Sequence, residues 1–400
     1  MPTYRPLSRT DVAAYAELCR YSFNIPVENT PVYKKWVIRF LDYSLGAFDR
    51  ERLLAGMWYN PFAMRVGDDF LPMGGVAAVA TAPEARNLGL AKGLMLRAHR
   101  QMRREGRALA TLRPFKYEFY ARMGYGDAFH YLDAAFDPRQ VASHHPVGYQ
   151  VRRVDGLRNW RLLERLRHLH GRPYLGVVRR DKAYWDVRIL YNLRGIRSSY
   201  LIEKRGEPVG YIVTDLGPDR KTAEIRLFIV EAIWKDQGAL DAVMEFLRGH
   251  RDQVKKVCWY LPTDVRLHDQ MIDPEIDVRL KPKMMLKLVD VKQAIESRSY
   301  DRDLSGHLVL DLEGDETSPW NAGRWSVRWD EGKARVTPLR GRLPRVGTAR
   351  CNSGTLAILY SGRLSAGECV TDGRLDASPD SCRLLEQVFP CGTPYLAEWF

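Results

Sequence analysis

The sequence contains few cysteines and no long apolar run. Its six cysteines are scattered and form no Cys-x-x-Cys pair of the kind that binds zinc or performs redox chemistry. Because four of them fall in the last fifty residues, a disulfide or a metal site stays open there, although we assign no metal ligand. No window approaches the roughly 18 apolar residues of a membrane-spanning helix, and the amino terminus lacks the apolar stretch of a secretion signal. We therefore expect a cytoplasmic protein without a membrane partner.

Acidic residues are in the minority. The 400 residues include 62 lysines and arginines against 49 aspartates and glutamates, a net charge of +13 at pH 7. Such an excess can attract nucleic acid, and many of the arginines fall between residues 149 and 180. Apolar residues also recur there at helical spacing, at Trp160, Leu163, Leu166 and Leu169. The spacing indicates a buried helix stripe with the arginines in solvent, so we expect no nucleic-acid partner.

A strand, a glycine turn and a helix follow one another between residues 74 and 106. The segment Gly74–Thr81 is built almost entirely of glycine, alanine and valine, which predicts a strand narrow enough for a ligand to lie against its backbone. The helix predicted from Leu90 has apolar residues at helical spacing and arginines on its other face. The loop between them directs backbone N–H groups and the positive end of the helix dipole toward one point. It therefore predicts a phosphate-binding loop, which Gly89 keeps open to the ligand.

An aromatic segment follows the next predicted strand. That strand is Ala108–Leu112, and Phe119–Gly126 then reads Phe-Tyr-Ala-Arg-Met-Gly-Tyr-Gly. The spacing of Arg86, Gly89 and Ala91, followed by this order of elements, resembles the Gcn5-related N-acetyltransferase (GNAT) superfamily. In that superfamily the pattern Arg or Gln, two residues, Gly, one residue, Gly or Ala forms the pyrophosphate loop. The resemblance implies that acetyl-CoA is the cosubstrate.

Within the superfamily, the length of the chain and its aromatic last residue, Phe400, resemble the Eis family of bacterial amine acetyltransferases. This resemblance implies an α+β fold with two tandem GNAT domains followed by a sterol-carrier-protein-like α+β domain. We expect these domains at residues 1–145, 146–288 and 289–400. The resemblance also implies a primary amine as substrate, either of a small molecule such as an aminoglycoside or of a lysine side chain, and a homohexamer as the oligomer.

The resemblance assigns the two catalytic roles to Tyr120 and Phe400. Tyr120 matches the general acid that protonates the departing sulfur of CoA, with Tyr117 and Tyr125 as alternatives, of which Tyr125 suits the core better. The α-carboxylate of Phe400 matches the proton acceptor. Since its usual pKa is about 3.3–3.7, it can act only if it lies beside the amine as the nitrogen becomes cationic.

The resemblance also implies the binding residues. For the cofactor these are Val79, Ala80, Thr81, Arg86, Asn87, Leu88, Gly89, Leu90 and Ala91. Phe23 and Trp36 match positions that line the acceptor cavity, although either also suits a core. Glu398 is a candidate for amine binding that departs from the family pattern, in which the acidic residue stands immediately before the final aromatic. Trp399 and Phe400 would anchor the tail and exclude water.

The middle of the sequence repeats the order of the first part. Tyr149–Val154 predicts a strand, a helix follows, and a hairpin turns at Arg205–Gly206. A strand at Ala223–Val230, a helix at Asp236–Arg248 and a further strand complete the copy. At the loop that corresponds to the phosphate loop, Asp236 would repel a phosphate. We therefore expect this second copy not to bind CoA.

Short strands and turns dominate beyond residue 289. His307–Leu312, Gly323–Trp329 and Ala334–Pro338 predict successive antiparallel strands, and two helical segments follow near 353–361 and 380–389. This mixture fits the sterol-carrier-like domain. We favour a role in packing and assembly over sterol binding, because alternating apolar residues are typical of any small sheet.

Two other functions fit the same features. One is N-acylation of a peptide or of the precursor of a thiol cofactor, and the other is a non-catalytic protein that binds CoA or lipid. The presence of both Tyr120 and Phe400 favours an enzyme.

Overall fold

The computed structural model describes residues 2–171, 173–191, 196–219, 222–341, 346–398 and 400. The predicted anchor Trp399 lies outside these residues. The chain forms two compact units. The first consists of Met1–Phe129, Lys283–Gly392 and Leu396–Phe400, and the second of His130–Pro282 and Thr393–Tyr395.

The first unit begins with a meander of strands flanked by helices. Its elements are β1 (Thr3–Arg5), α1 (Val12–Phe23), α2 (Thr30–Arg39), β2 (Ser44–Asp49), β3 (Arg52–Val66), β4 (Asp69–Thr81), α3 (Leu90–Arg104), β5 (Leu109–Leu112) and α4 (Tyr117–Ala121). Strands β1 to β4 pair antiparallel in order, and β4 pairs parallel with β5. The predicted strands at 74–81 and 108–112 and the helix from Leu90 are confirmed.

A 3₁₀ turn at Arg9–Asp11, closed by a capping box, leads into helix α1, and an apolar face holds the helix along its length. The Asp11 carboxylate accepts hydrogen bonds from the Ser8 backbone at 2.7 Å and from the Arg5 guanidinium at 2.7 Å. The bond from Arg5 holds the pKa of Asp11 well below its usual range. On the apolar face, Tyr15 is buried against β3, where a Cβ atom at Gly56 would lie 2.6 Å from the Tyr15 ring. The glycine therefore allows α1 to pack directly on the sheet.

The second unit repeats this topology. Its elements are β6 (Gly126–Phe136), β7 (Tyr149–Val154), α5 (Trp160–His170), α6 (Lys182–Tyr184), a π-helical segment (Trp185–Leu190), β8 (Ile196–Lys204), β9 (Glu207–Pro218), β10 (Ile225–Trp234), α7 (Gln237–Arg248), β11 (Val257–Leu261) and β12 (Asp277–Leu288). Strands β7 to β10 pair antiparallel in order, and β10 pairs parallel with β11. The predicted repeat is confirmed. The first residues of β6 and the last residues of β12 belong to the first unit, where β12 pairs antiparallel with β5.

The predicted apolar stripe on α5 is wrong in two places. Leu163 and Leu166 are buried, but Leu169 is 45% exposed and Arg167 is only 2% exposed. Arg167 is buried because acceptors surround it, namely the Val178 carbonyl and, at 3.5 Å, the carboxylate of Glu231. A charged side chain with such partners can occupy a core position. The periodic pattern alone treats every arginine as a surface residue.

Glu231 is the centre of this buried network. Its two carboxylate oxygens accept hydrogen bonds from the two terminal nitrogens of Arg180, each at 2.8 Å, and the Tyr211 hydroxyl donates a further bond at 2.7 Å. We expect Arg180→Met to lower the free energy of unfolding by about 3–5 kcal/mol, because it leaves a buried carboxylate without its main partner. Urea denaturation measures the loss. The matched control is Arg158→Met, since Arg158 pairs with Asp155 at the surface and should contribute at most about 1 kcal/mol. Equal losses for the two variants would contradict the expectation.

The remainder of the first unit is a five-stranded sheet with helices. Its elements are α8 (Val291–Glu296), β13 (Gly306–Glu313), β14 (Gly323–Asp330), β15 (Lys333–Pro338), β16 (Gly347–Asn352), α9 (Ser353–Ser361), α10 (Ala366–Thr371), β17 (Leu375–Ala377) and α11 (Pro379–Val388). The strand order is β15-β14-β13-β16-β17, with β13 and β16 parallel. The three predicted strands and the two predicted helical segments are confirmed, whereas β16, β17 and α10 had no clear sequence signal.

The structure also bears on a disulfide or metal site near the end of the chain and on membrane-spanning helices. All six cysteines are free thiols. Within the described ranges, no group of three or more His, Cys, Asp or Glu side chains is placed to hold a metal ion. In the same parts of the chain, none of the helices combines the length and the apolar character needed to cross a membrane.

Candidate active site

Strand β4 carries a bulge in the predicted cofactor-binding segment. The register of the β3–β4 ladder shifts by one residue between Gly56 and Trp58, and Ala78 opposite this point has a φ of 51°. The Tyr15 hydroxyl donates a hydrogen bond of 2.6 Å to the Ala78 carbonyl. A bulge bends a strand and redirects its backbone groups. The backbone at this point is therefore turned out of the regular ladder and held there by α1.

Beyond the bulge, β4 extends past its parallel neighbour. The β4–β5 ladder ends with the pair Val76–Leu112, and β4 continues to Thr81. Val79 and Thr81 are half-buried and Ala80 is buried. In the described part of the chain, the backbone of these three residues thus lies beyond the end of β5. An extended ligand can pair with a strand edge of this kind.

The loop after β4 leads into the amino terminus of α3. Asn87 and Gly89 both adopt left-handed backbone conformations, with φ of 64° and 72°. A Cβ atom added to Gly89 would meet no atom within 4 Å, so open space lies in front of the loop. Helix α3 has 15 residues, no side-chain cap and no acidic residue in its first turn. Its first backbone N–H groups and its dipole are therefore available to an anion. Arg86 and Leu88 are exposed beside this space, Leu90 is buried and Ala91 is half-buried.

The corresponding helix of the second unit starts differently. The Asp236 carboxylate accepts a hydrogen bond from the Ala239 backbone at 3.0 Å and another from the Tyr149 hydroxyl at 2.8 Å. The Tyr149 ring is also so close to Gly238 that an added Cβ atom would lie 2.7 Å from it. The amino terminus of α7 is thus occupied by a negative charge and a ring from the chain itself.

Tyr120 lies in α4 within a group of aromatic rings. Its side chain is 3% exposed, and its ring centroid is 5.1 Å from that of Phe119 and 5.7 Å from that of Phe115. Burial raises the pKa of Tyr120 above that of an ordinary phenol. Among the residues that the structure describes, none forms a hydrogen bond with the Tyr120 hydroxyl. The phenol is therefore held neutral, as a proton donor must be.

The two alternative tyrosines have different environments. Tyr125 is buried, and its hydroxyl forms a hydrogen bond of 2.9 Å with Nε2 of the buried His99. Burial lowers the pKa of His99 well below its usual value, so the imidazole is neutral. Tyr117 is exposed at the start of α4. Tyr125 is thus a core residue, as its position in the sequence suggests.

Phe400 packs on the sheet beside the bulge. Its ring centroid lies 5.5 Å from that of Phe62, and an added Cβ atom at Gly75 would be 2.9 Å from the Phe400 ring. The buried side chain of Asn60 donates a hydrogen bond of 2.9 Å to the Gly75 carbonyl and fixes this part of β4. Gly75 and Ala78 are about 10 Å apart along the strand, at roughly 3.3 Å per residue. The carboxyl-terminal residue therefore lies on the same strand as the bulge.

The three predicted acceptor-site residues differ in burial and in contacts. Trp36 is buried, stacks on Phe40 with ring centroids 5.6 Å apart, and belongs to the same apolar cluster as Phe400. Phe23 is exposed at the end of α1. Glu398 is only 1% exposed, so its carboxylate lies in the interior. The structure thus brings Trp36 and Phe400 together.

Asn60 and the hydroxyl of Tyr15 fix the backbone of the candidate site, and neither was predicted from the sequence. Both hold carbonyl groups of β4, at Gly75 and Ala78. A weak signal exists for Asn60, because it is the one amide within an apolar run from Met57 to Met64. A buried amide needs a hydrogen-bond partner, which points to a structural role but not to a particular partner.

Comparisons with known proteins agree with this fold. Residues 3–128 and residues 176–288 each match a family model described as an acetyltransferase (GNAT) domain, and residues 291–397 match a sterol carrier protein domain. The predicted boundaries at residues 145 and 288 stay predictions.

Related proteins match over most of their length. The chain is 26% identical to an uncharacterised N-acetyltransferase of Streptomyces avermitilis over 84% of this chain and 83% of that protein. It is 24% identical to the N-acetyltransferase Eis of Mycobacterium tuberculosis, with coverage of 82% and 80%.

Solved structures share the fold. A Gcn5-related N-acetyltransferase from Anabaena variabilis is 22% identical with a TM-score of 0.90, and Eis1 from Mycobacterium abscessus is 21% identical with a TM-score of 0.80. Both alignments cover 100% of each chain. The chain therefore has two tandem acetyltransferase (GNAT) domains followed by a sterol carrier protein domain, and Eis N-acetyltransferases are among its homologues.

Proposed function

We propose that this protein transfers the acetyl group of acetyl-CoA to a primary amine, either of a small molecule such as an aminoglycoside or of a lysine side chain. One observation carries the proposal. An open, uncapped start of α3 follows a bulged β4 in the unit that also buries Tyr120. In that arrangement the start of α3 would bind the phosphates of the cofactor, and β4 and Tyr120 would lie near its thioester.

The cofactor would be held by backbone groups more than by side chains. The backbone of Val79–Thr81 would pair with the pantetheine arm, and a backbone N–H group there would polarise the thioester oxygen. The loop from Arg86 to Ala91 would bind the pyrophosphate, supported by the exposed Arg86. Since Asp236 occupies the corresponding helix start in the second unit, we propose that only the first GNAT domain binds acetyl-CoA.

Tyr120 and Phe400 would move the protons. As the amine nitrogen bonds to the acetyl carbon it becomes cationic, and the carboxylate of Phe400 would accept its proton. The carbon–sulfur bond then breaks, and Tyr120 would donate its proton to the departing thiolate of CoA. The products are an N-acetylated amine and CoA with a free thiol. Positioning of the two reactants supplies much of the rate in such a reaction.

The proposal is tested by incubating the purified protein with acetyl-CoA and a panel of amines while free thiol is followed. The panel contains an aminoglycoside, a lysine-containing peptide and an aliphatic monoamine. We expect CoA release that depends on the amine. Calorimetry that detects no binding of acetyl-CoA would contradict the proposal, and turnover with longer acyl chains in preference to acetyl would favour the alternative N-acyltransferase.

A charge placed in the loop should weaken cofactor binding. We expect Gly89→Asp to raise the KM for acetyl-CoA about tenfold or more, because a carboxylate there repels the phosphates. The matched control is Gly373→Asp, since Gly373 also has a left-handed backbone (φ 68°) and open space around it, but lies after α10. Both changes strain the backbone alike, and only the first adds charge to the loop. Equal KM values for the two variants would contradict the loop assignment.

We also propose a homohexamer in the cytoplasm. The hexamer is what the resemblance to the Eis family implies, and large apolar side chains such as Ile272 and Leu280 are exposed on the single chain. Analytical ultracentrifugation of the purified protein measures the mass directly. A monomeric mass at micromolar concentration would contradict the hexamer.

A further inference from the structure

Two lysines of β12 are buried in the first unit. Lys283 is 3% exposed and Lys287 is fully buried. Because side chains alternate along a strand, residues four apart lie on the same face, and these two are separated by about 13 Å. Removing an ammonium group from water is costly unless the group is bound. Each lysine must therefore hold acceptors inside the protein.

Lys287 binds the turn that follows α4. Its Nζ atom donates a hydrogen bond of 2.7 Å to the Met123 carbonyl and one of 2.8 Å to the Asp315 carboxylate. The Thr317 hydroxyl donates a second bond, of 3.1 Å, to the same carbonyl. The Met123 backbone in turn donates to the Tyr120 carbonyl at 3.0 Å. Lys287 is thus connected to Tyr120 through one residue.

The close approach of this lysine depends on a glycine. Gly124 has a φ of 78°, and an added Cβ atom there would lie 2.7 Å from both the Lys287 ammonium and the Asp315 carboxylate. Burial lowers the pKa of Lys287 to about 8, although Asp315 acts in the opposite direction. The turn after α4 is therefore built to admit the lysine and its carboxylate partner.

Lys283 binds the tail of the chain in the same manner. Its Nζ atom donates a hydrogen bond of 2.9 Å to the Ala397 carbonyl. Leu396 and Glu398 on either side are buried. Ala397 precedes Phe400 by three residues, just as Met123 follows Tyr120 by three. One strand thus holds a backbone carbonyl close to each of the two proposed proton-transfer groups.

We propose that Lys283 and Lys287 are positioning residues that set the places of Phe400 and Tyr120 from a single rigid strand. This inference rests on the proposed function. Neither lysine takes part in the chemistry itself. The effect is expected on kcat, because a displacement of about 1 Å in a reacting group can lower the rate up to about 100-fold.

A double-mutant cycle tests the proposal. We expect Lys287→Met to lower kcat by about 10- to 100-fold with the KM for acetyl-CoA within about threefold, and to lower it no further in a Tyr120→Phe background. Lys283→Met should have the same effect on the full chain and none on a chain that lacks Phe400. Lys287→Met should still lower kcat in the chain that lacks Phe400, and Lys283→Met should still lower it in the Tyr120→Phe background. The matched control is Lys281→Met, on the same strand and paired with Asp133, which should leave kcat unchanged.

Milder changes cover the case in which a methionine variant does not fold. Thr317→Val removes the second bond to the Met123 carbonyl without changing the volume of the side chain, and should act only where Tyr120 is present. Lys283→Gln keeps a donor at reduced reach and should act only where Phe400 is present. If neither Thr317→Val nor Lys283→Gln lowers kcat in the otherwise native chain, the proposal is overturned. Equal further losses in the Tyr120→Phe and Phe400-deleted backgrounds would also overturn it, because a general loss of structure acts everywhere.

Hydrogen exchange tests whether each lysine fixes its own segment, without the need for an activity assay. Lys287→Met should accelerate exchange at residues 121–125, and Lys283→Met at residues 396–400, each leaving the other segment unchanged. Acceleration throughout the unit would overturn the proposal. If the wild-type protein releases no CoA with any amine while these local changes are observed, the proposed function fails and the positioning role of the lysines is retained.

Discussion

Replacement of Tyr120 by phenylalanine is expected to lower kcat by about 10²- to 10⁴-fold, the range typical of general acid catalysis, with the affinity for acetyl-CoA unchanged. The variant removes one oxygen from a ring that is already buried among aromatic neighbours, so packing is preserved. Without the phenol, the thiolate of CoA must leave unprotonated. Single-turnover kinetics measure the chemical step, and calorimetry measures the binding of acetyl-CoA.

Two neighbouring tyrosines supply controls. Tyr125→Phe removes the hydrogen bond to His99 and should cost about 1–3 kcal/mol of stability with kcat within a fewfold of wild type. Tyr117→Phe changes an exposed ring and should affect neither quantity. Full activity of Tyr120→Phe, or a larger loss for Tyr125→Phe, would assign the acid elsewhere.

The pH dependence of kcat follows from the same environment. Burial raises the pKa of Tyr120 above the ordinary phenol value of about 10. The protonated phenol is the donor, so it persists through pH 10 and is lost only as the pH rises through the elevated pKa. We therefore expect no fall in kcat from this group below about pH 10. A decline centred below pH 9 that vanishes in Tyr120→Phe would contradict this environment.

An extension of the chain beyond Phe400 should lower kcat about as strongly as Tyr120→Phe does. Added residues convert the terminal carboxylate into an amide, which cannot accept a proton from the amine. They also force additional atoms into the place where the Phe400 ring contacts Gly75 and Phe62. We expect kcat to fall by about 100-fold or more, as for the loss of a general base. The measurement compares the same tag at the two ends of the chain.

A smaller change separates packing from the carboxylate. Gly75→Ala leaves the terminus chemically intact but places a Cβ atom 2.9 Å from the Phe400 ring, which must move. Gly75→Ala should lose part of the activity, and the protein with the amino-terminal tag should retain full activity. Wild-type activity of the carboxy-terminally extended protein would remove the tail from the mechanism.

Local patterns were sufficient to predict the strand, loop and helix that we propose bind the cofactor. The small residues of β4, the glycine at 89 and the apolar spacing of α3 act over a few positions, and the structure has the strand, turn and helix where those patterns indicate. The same holds for the repeated copy, in which Asp236 caps α7 as a short polar residue before an amphipathic helix commonly does. Such features depend on neighbours within one or two turns.

Patterns that depend on distant partners were misread or missed. Arg167 was assigned to solvent because charge is expensive to bury, yet Glu231 and the Val178 carbonyl compensate it. Lys287 interrupts an apolar strand, which is a signal in itself, but nothing adjacent in the chain indicates Met123 or Asp315 as its partners. Periodicity reports which face is buried and not what lies opposite.

The residues alone predicted the order of strand, loop and helix and the repeat of that order, because both are encoded in short-range spacing. The candidate tyrosines came from the family resemblance. The folded chain was needed to show that the Tyr125 hydroxyl bonds to the buried His99, which is the physical reason for the core position of Tyr125. It was also needed to place Phe400 against β4 and to bring two lysines of β12 to the carbonyls of Ala397 and Met123. These contacts join residues far apart in sequence, and their energies depend on complementary surfaces that no local spacing records.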